Sequence, residues 1–271
     1  MAASTAPHPV LERYYPTAEG RQPFVTALFD SGAAQYDRLC RIMSLGSGQR
    51  YRHQALQRAG LRPGMRLLDL ATGTGLVARA AVRLLRDSRA VTGLDPSRGM
   101  LGEARKCLDS DLVQGRAEAL PFADERFDVV SMGYALRHVA DLDLVFRECG
   151  RVLRPGGRLL ILEISRPRSP ARRWLMWMYF KHVLPLLMRV GTRSEAAALL
   201  MRYYWDTIDA CVSPETILDC LGQTGFVQVE RRVFGGLLSE FMAEKPAAEP
   251  AAAPPGLPRS ANGHPTGVVA A

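Results

Sequence analysis

RLLDLATGTG (residues 66–75) is the stretch that decides the fold of this 271-residue chain. RLLDLA is short and apolar, which is typical of a buried strand, and the glycines after it allow a tight turn into a helix over residues 74–86. Such a turn leaves bare backbone N–H groups at a helix N-terminus, where a ligand can approach. Asp95 ends the next strand-like stretch, 20 residues after Gly75, and its carboxylate can accept hydrogen bonds from ribose hydroxyls.

The glycine loop by itself is compatible with more than one ligand. Gly73-x-Gly75-x-x-Ala78 also satisfies the dinucleotide fingerprint, and a purely structural turn is a further alternative. Asp69 stands before the glycines, where it would repel a pyrophosphate and attract a cationic group. This arrangement favours a nucleoside with a positive, non-phosphate tail, such as S-adenosylmethionine.

Working outward from this loop, strand-like and helix-like stretches alternate along the chain. Ser97 can cap a helix in which Met100, Leu101 and Ala104 share one face. Further strands are predicted at 90–95, 111–115, 127–133 and 158–165, and a final antiparallel pair at 226–233 and 237–243. Buried strands between helices indicate a mostly parallel sheet with helices on both faces.

The domain organisation follows from composition. We expect residues 1–21 to be flexible and residues 246–271, rich in Ala and Pro, to form a disordered tail. Residues 22–245 then form one domain with two helical additions. These are an N-terminal extension over 22–64, predicted to cap the substrate, and an inserted lid over 166–212.

The charge of the chain is concentrated in one segment. The net charge is +8, yet residues 151–202 hold eleven Arg or Lys against two Glu. The five cysteines form no Cys-x-x-Cys pair, which fits a reducing compartment and gives no zinc pattern. We predict no metal site, and no run of about 18 apolar residues indicates a spanning helix.

An ordered set of motifs resembles the class I S-adenosylmethionine-dependent methyltransferases, and most closely the ubiquinone/menaquinone C-methyltransferase family. The resemblance covers about residues 24–245 and is carried by YDRLCRIMSLGSGQRYR (36–52), LLDLATGTG, GLDPSRGMLGEAR, GRAEALPFADERFDVV, YALRHV, RVLRPGGRLLILEIS and SPETILDCLGQTGFVQVE. It implies a Rossmann-like sheet of seven strands with the last strand antiparallel.

The resemblance also implies cofactor roles at the matching positions. Thr74 with Gly73 and Gly75 would hold the methionine part of S-adenosylmethionine, and Asp95 would bind its ribose. Arg116 and Ala117 lie where the family brackets the adenine, with Ser131 completing the set at the end of the fourth strand. Met100 is expected on the adenine face, although its helical spacing is also typical of a core residue.

The acceptor side departs from the family pattern. Cys40 stands where the family usually has Asn, and Tyr134-Ala-Leu-Arg137-His138 where it usually reads Phe-Gly-Leu-Arg-Asn. Methylation of a ring carbon benefits from a base that deprotonates an adjacent hydroxyl, and imidazole titrates in the useful range. We therefore predict that His138 is the base and that Arg137 stabilises the phenolate or orders a water. The alternative is that Arg137 pairs with an acid and His138 packs at a helix start. Further wall residues are predicted to be Tyr36, Asp37 and Tyr134.

The predicted reaction is C-methylation of a polyprenylated hydroquinone ring, the alternative acceptor being a lipid amine or a natural product. The basic, aromatic segment after residue 165 is compatible with a membrane-surface helix that admits a lipid-tailed acceptor, and equally with a lid packed on the domain. Nucleic acid is not an expected partner, because large aliphatic residues interrupt the basic ones and no nucleic-acid motif accompanies them. We expect a cytoplasmic protein with peripheral contact at the inner membrane face.

Overall fold

The protein is built on a seven-stranded sheet. The computed structural model describes residues 5–44, 46–186 and 195–248. Its strands are β1 (Leu67–Leu70), β2 (Val91–Asp95), β3 (Asp111–Gln114), β4 (Phe127–Gly133), β5 (Leu153–Ile164), β6 (Val227–Phe234) and β7 (Leu238–Glu244). The strand order is β3-β2-β1-β4-β5-β7-β6, and β7 runs in the direction opposite to the other six strands. The predicted Rossmann-like sheet is confirmed.

Helices flank this sheet and extend it at two places. They are α1 (Arg21–Met43), α2 (Gly48–Arg58), α3 (Leu76–Leu85), α4 (Arg98–Arg105), α5 (Leu142–Val152), α6 (Pro170–Met178), α7 (Glu195–Ala210) and α8 (Pro214–Gln223). A 3₁₀ turn covers Leu136–His138 and a π-helical turn covers Tyr179–Val183.

Two helices begin at serine residues that cap them. Ser97 caps α4 by accepting from the Met100 N–H at 3.0 Å, and Ser213 caps α8 by accepting from the Thr216 N–H at 3.1 Å. Ser169 precedes α6, but its side chain makes no capping hydrogen bond. The proline at the first position of α6 needs no partner, because proline has no backbone N–H.

The position of the functional cleft follows from the strand order. The chain runs from β1 to β2 and β3 on one side and then crosses back to β4 on the other. Helices that follow β1 and β4 therefore diverge to opposite faces, and a crevice opens at the carboxyl end of β1. The glycine loop lies at this end of the sheet.

Three apolar clusters hold the domain together. One lies between the sheet and α5 and α8, and a second between the sheet and α2 and α3. The buried residues of the third cluster come from outside the sheet. This cluster joins α1, α6, the π turn and α7 through residues such as Leu28, Phe180 and Tyr203. The helical additions thus have an apolar cluster of their own.

The N-terminal segment differs from expectation. We expected residues 1–21 to be flexible, but the described residues 5–20 pack on the domain, and Tyr15 is only 2% exposed. The Thr5 carbonyl accepts from the Leu142 N–H at 2.9 Å, and the Pro7 carbonyl from the Val212 N–H at 2.8 Å. These hydrogen bonds satisfy N–H groups at the start of α5 and after α7. They hold the N-terminal segment against the domain, and the pattern of apolar residues in the sequence does not predict them.

Parts of two predicted segments lie outside the described residues. These are positions 249–271 of the predicted disordered tail and positions 187–194 of the predicted lid insertion. Among the described helices, none combines the length and the apolar character needed to cross a membrane.

Candidate functional site

The main cleft lies at the carboxyl ends of β1, β2 and β4, beneath α1 and α7, and encloses about 710 Å³ that is partly open to solvent. Of the site residues predicted from the sequence, the cleft walls include Tyr36, Gly73, Asp95, Met100, Arg116, Ala117, Tyr134 and His138.

Asp95 is the polar centre of one end of the cleft. Its carboxylate accepts from the backbone N–H groups of Gly73 and Ser97, each at 2.8 Å. Burial raises the pKa of Asp95 to about 6, although these two hydrogen bonds act in the opposite direction. Each carboxylate oxygen retains a further lone pair for a ligand hydroxyl.

Asp69 and Ser131 lie below the cleft wall rather than on it. The Asp69 carboxylate accepts from the hydroxyls of Thr72 and Ser131, both at 2.7 Å. Burial raises the pKa of Asp69 to about 6, while the two hydroxyls counteract that rise. A buried carboxylate at this position can attract a cationic ligand group through its negative electrostatic field.

Thr74 and Gly75 shape the loop without lining the cleft. Gly75 has φ +82°, which glycine adopts without strain, and a Cβ there would lie 2.3 Å from a Leu108 methyl carbon. Thr74 donates to Asp37 at 2.5 Å, and Asp37 also pairs with Arg79 at 2.5 Å. Asp37, predicted as a residue of the acceptor wall, therefore fastens α1 to the glycine loop and is not among the residues that line the main cleft.

The adenine end predicted from the family motifs is open on one side. Arg116 is half exposed and pairs with Glu118 at 3.4 Å, whereas Ala117 and Met100 are buried. Met100 is held by the capped start of α4, so its side chain both belongs to the core and lines the cleft.

His138 lies at the opposite end, among aromatic rings. Its imidazole stacks on Tyr203 at 5.4 Å and meets the edge of Phe29 at 5.4 Å. Neither ring nitrogen has a hydrogen-bond partner among the described residues. Burial, reinforced by the charges of Arg137, His8 and Arg21, holds the pKa of His138 well below its usual range. The imidazole is therefore neutral at physiological pH, and it is a weaker proton acceptor in the ligand-free cleft than an imidazole in water.

The tyrosines complete an apolar wall with a few hydroxyls. The hydroxyls of Tyr36 and Tyr204 share a hydrogen bond of 2.7 Å. Burial raises the pKa of Tyr204 to about 12 and that of Tyr134 to about 12, so these hydroxyls are neutral. Tyr134 has φ +61°, a left-handed backbone that costs about 1–3 kcal/mol in a non-glycine residue and often marks a functional turn.

Arg137 does not occupy the position predicted for it. It is fully buried and lies outside the cleft wall, with Nη1 bonded to Glu163 and Nε donating to Thr207 at 3.2 Å. Its guanidinium carbon lies 4.6 Å from the centroid of the Tyr204 ring. The alternative considered from the sequence, pairing with an acid, describes its contacts. Arg137 can act only through Tyr204 and the turn that carries His138.

Sequence reasoning missed the wall contributed by helices. Gln22, Val25, Thr26 and Phe29 of α1, together with Tyr204 of α7, line the cleft. In the sequence these residues follow helical spacing and are indistinguishable from core residues. The Gln22 side chain donates to the His138 carbonyl at 2.9 Å and so ties α1 to the turn that carries His138.

The residues present fit S-adenosylmethionine. Gly73 lines the cleft with φ +57° and with nothing within 4 Å of the position that a Cβ would take, so a ligand can lie against its backbone. Asp95 offers acceptors for ribose hydroxyls at one side, and Asp69 supplies a negative field for a sulfonium or ammonium. Among the described residues, no group of three His, Cys, Asp or Glu is arranged to hold a metal.

Comparisons with known proteins agree with this geometry. The model of the ubiE/COQ5 methyltransferase family matches residues 17–245. The chain is 36% identical over 220 residues to the ubiquinone/menaquinone biosynthesis C-methyltransferase UbiE of Shewanella sediminis, covering 79% of this chain and 86% of that protein. It is 35% identical over 212 residues to UbiE of Hahella chejuensis, covering 76% and 84%.

Solved structures share the fold at lower identity. A SAM-dependent methyltransferase from Thermotoga maritima matches with a TM-score of 0.57 and 20% identity, covering 81% of this chain and 99% of that one. The phosphoethanolamine N-methyltransferase 2 of Haemonchus contortus, in complex with phosphomonomethylethanolamine and S-adenosylhomocysteine, matches with a TM-score of 0.59 and 20% identity, covering 85% and 60%.

Proposed function

Because the chain belongs to the ubiE/COQ5 methyltransferase family and is an S-adenosylmethionine-dependent methyltransferase, we propose that it methylates a ring carbon of a polyprenylated hydroquinone. The observation that carries this proposal is the composition of the cleft. The charged lining residues Asp95, Arg116 and Glu118 are at one end, whereas the other end is an aromatic wall with a few uncharged polar groups. That wall is formed by Phe29, Tyr36, Tyr204 and His138. A flat apolar ring with hydroxyl substituents matches that end.

The residues of the aromatic wall have separate tasks in such a reaction. S-adenosylmethionine, when bound, supplies a methyl group already activated on a sulfonium. We assign to His138 the acceptance of the ring hydroxyl proton, which places negative charge on the ring and makes the adjacent carbon nucleophilic. The rings of Phe29 and Tyr204 hold the acceptor ring in place and exclude water.

The acceptor is tested with the full chain, labelled S-adenosylmethionine and a total lipid extract kept under reducing conditions. We expect label in a quinone lipid, and no label with Asp95→Ala, which removes the carboxylate proposed to bind ribose. Label in a phospholipid with none in a quinone would refute the hydroquinone and favour a lipid amine.

We further propose that α6 and the π turn contact an anionic membrane surface at its cytoplasmic face. Trp174, Leu175 and Leu186 are each more than 60% exposed, and Met176 and Phe180 on the other side are buried against α1 and α7. The segment thus presents an apolar outer face directly above the helices that form the acceptor wall, where a lipid tail would enter.

Some of the surrounding arginines already form ion pairs within the protein. Arg173 forms a bidentate pair with Asp209 at 2.8 and 2.9 Å, and Arg168 lies 3.5 Å from Glu215. The acids come from α7 and α8, beyond the basic segment itself. We therefore assign most of the membrane affinity to the exposed apolar side chains and a smaller, salt-sensitive part to the charges.

Flotation with vesicles containing anionic lipid tests this contact. Leu175→Asn should weaken binding, whereas the matched control Leu144→Asn, which also alters an exposed leucine but on α5, should not. Raised salt should weaken binding in part. Equal binding by both variants, or no binding by the unaltered protein, would refute the membrane contact.

A further inference from the structure

A second recess lies beside the glycine loop, between α1, α2 and α3, and encloses about 550 Å³. Its walls include four arginines, at positions 41, 52, 79 and 83, against one acid, Asp37. Asp37 is already engaged by Arg79 and by the Thr74 hydroxyl. The recess therefore carries an excess of positive charge that the described residues do not neutralise.

Arg52 is the most unusual of these arginines. It is only 6% exposed, its Nε has no hydrogen-bond partner, and no acid among the described residues pairs with its guanidinium. Its guanidinium carbon lies 5.4 Å from the centroid of the Tyr134 ring. A ring face compensates only part of the desolvation of a buried cation, so this position is suited to an anionic ligand.

The neighbouring backbone keeps Arg52 in place. A Cβ at Gly48 would lie 2.7 Å from Nη1 of Arg52, so the absence of a side chain at Gly48 leaves room for the guanidinium. The planar fork of a guanidinium held in this way can receive a carboxylate in a bidentate manner.

The direction of the cofactor brings its amino-acid end to this place. Asp95 and Arg116 lie at the adenosine end, so the opposite end extends past Gly73 toward the ends of β1 and β4. Tyr134 follows β4 and lines the main cleft, and its ring is the one that the Arg52 guanidinium faces. The charge of Arg52 also reaches Asp69, where it counteracts part of the rise in pKa that burial causes.

We propose that Arg52 binds the α-carboxylate of S-adenosylmethionine, while the field of Asp69 favours the ammonium of the same amino-acid group. A cationic side chain, Arg52, and an anionic one, Asp69, on either side of the zwitterion would fix both the position and the orientation of the methionine end. This inference rests on the cofactor of the proposed function and not on its acceptor.

Isothermal titration of the full chain with two ligands tests the proposal. S-adenosylmethionine and its decarboxylated analogue differ only by the carboxylate. A charged hydrogen-bonded pair corresponds to about a 10- to 100-fold change in affinity, so the unaltered protein should prefer S-adenosylmethionine by about that factor. Arg52→Met should remove most of this preference by weakening S-adenosylmethionine, with little change for the analogue.

The matched control is Arg83→Gln, which removes a charge from the exposed rim of the same recess. It should keep the preference. A preference that survives in Arg52→Met, or that falls equally in Arg83→Gln, would overturn the proposal. If Arg52→Met does not fold, as judged by its melting curve, Arg52→Gln is held to the same criterion. Failure to label a quinone lipid would leave these binding results unaffected, so the two proposals fail separately.

Discussion

Replacing Asp69 with Asn should stabilise the ligand-free protein at alkaline pH while weakening its response to cofactor. The carboxylate is buried, and the hydroxyls of Thr72 and Ser131 donate hydrogen bonds to it. Asparagine has nearly the same shape and no charge. Both hydroxyls can also accept a hydrogen bond, so they can turn to meet the amide.

The expected gain can be worked out from the pKa. Burial raises the pKa of Asp69 from 3.8 to about 6, and each pKa unit corresponds to about 1.4 kcal/mol between the two protonation states. Holding the carboxylate ionised above pH 6 therefore costs the fold about 3 kcal/mol. We expect a net gain of about 2 kcal/mol for the variant, because the amide makes weaker hydrogen bonds than the carboxylate. For a domain of this size that is a rise of about 4–8 °C in Tm.

The pH dependence has a definite sign. Because the folded pKa lies above the unfolded one, the folded wild-type protein binds an extra proton between about pH 4 and 6, and its stability from this group is lost as the pH rises through 6. The variant lacks this proton. The difference in Tm should therefore be largest near pH 8 and should shrink toward pH 4.

Thermal denaturation of both proteins across this range, with and without S-adenosylmethionine, is the measurement. The variant should also show a smaller increase in Tm on adding cofactor, because it lacks the negative field for the cationic end. A variant that is less stable at pH 8, or a difference in Tm independent of pH, would refute this account of Asp69.

Three further predictions concern the same region. Glu163→Gln leaves Arg137 without its buried counter-ion and should lower the free energy of unfolding by about 3–5 kcal/mol; a loss below 1 kcal/mol in urea denaturation would contradict the pairing described. His138→Asn should lower kcat at saturating cofactor, and the wild-type kcat/KM for the acceptor should stay level as the pH falls through 6.5, because the pKa of His138 before the acceptor binds lies well below that value; an inflection near 6.5 would argue against His138 as the base. Gly75→Ala should destabilise the fold by more than 1 kcal/mol, because of its positive φ and the contact with Leu108, and wild-type-like melting would contradict this.

Local patterns in the sequence predicted the sheet and its loop because each depends on neighbouring residues. The caps at Ser97 and Ser213 each satisfy an N–H three residues later, and apolar strands between helices determine the class of sheet. The glycine loop and Asp95 were likewise predictable, since the turn and the strand end recur at a fixed spacing.

The rest of the site depends on contacts between residues distant in sequence. Arg137 meets Glu163 on β5, and Asp37 of α1 meets Thr74 of the glycine loop. Charged pairs of this kind produce no periodic pattern in the sequence. The roles of Arg137 and Asp37 could therefore be predicted only from the motifs in which they stand. The buried state of Arg52 is equally invisible in sequence: its Nε has no hydrogen-bond partner, and no acid among the described residues forms an ion pair with it.

The separate apolar cluster of α1, α6, the π turn and α7 has a consequence for how such an enzyme could change its specificity. Residues proposed to hold the cofactor come mainly from strand ends, whereas Phe29 and Tyr204 come from helices whose packing is largely independent of the sheet core. We therefore expect that the helical layer can be exchanged as a unit. Grafting these helices from a relative with a different acceptor should transfer acceptor choice while the sheet below keeps its cofactor.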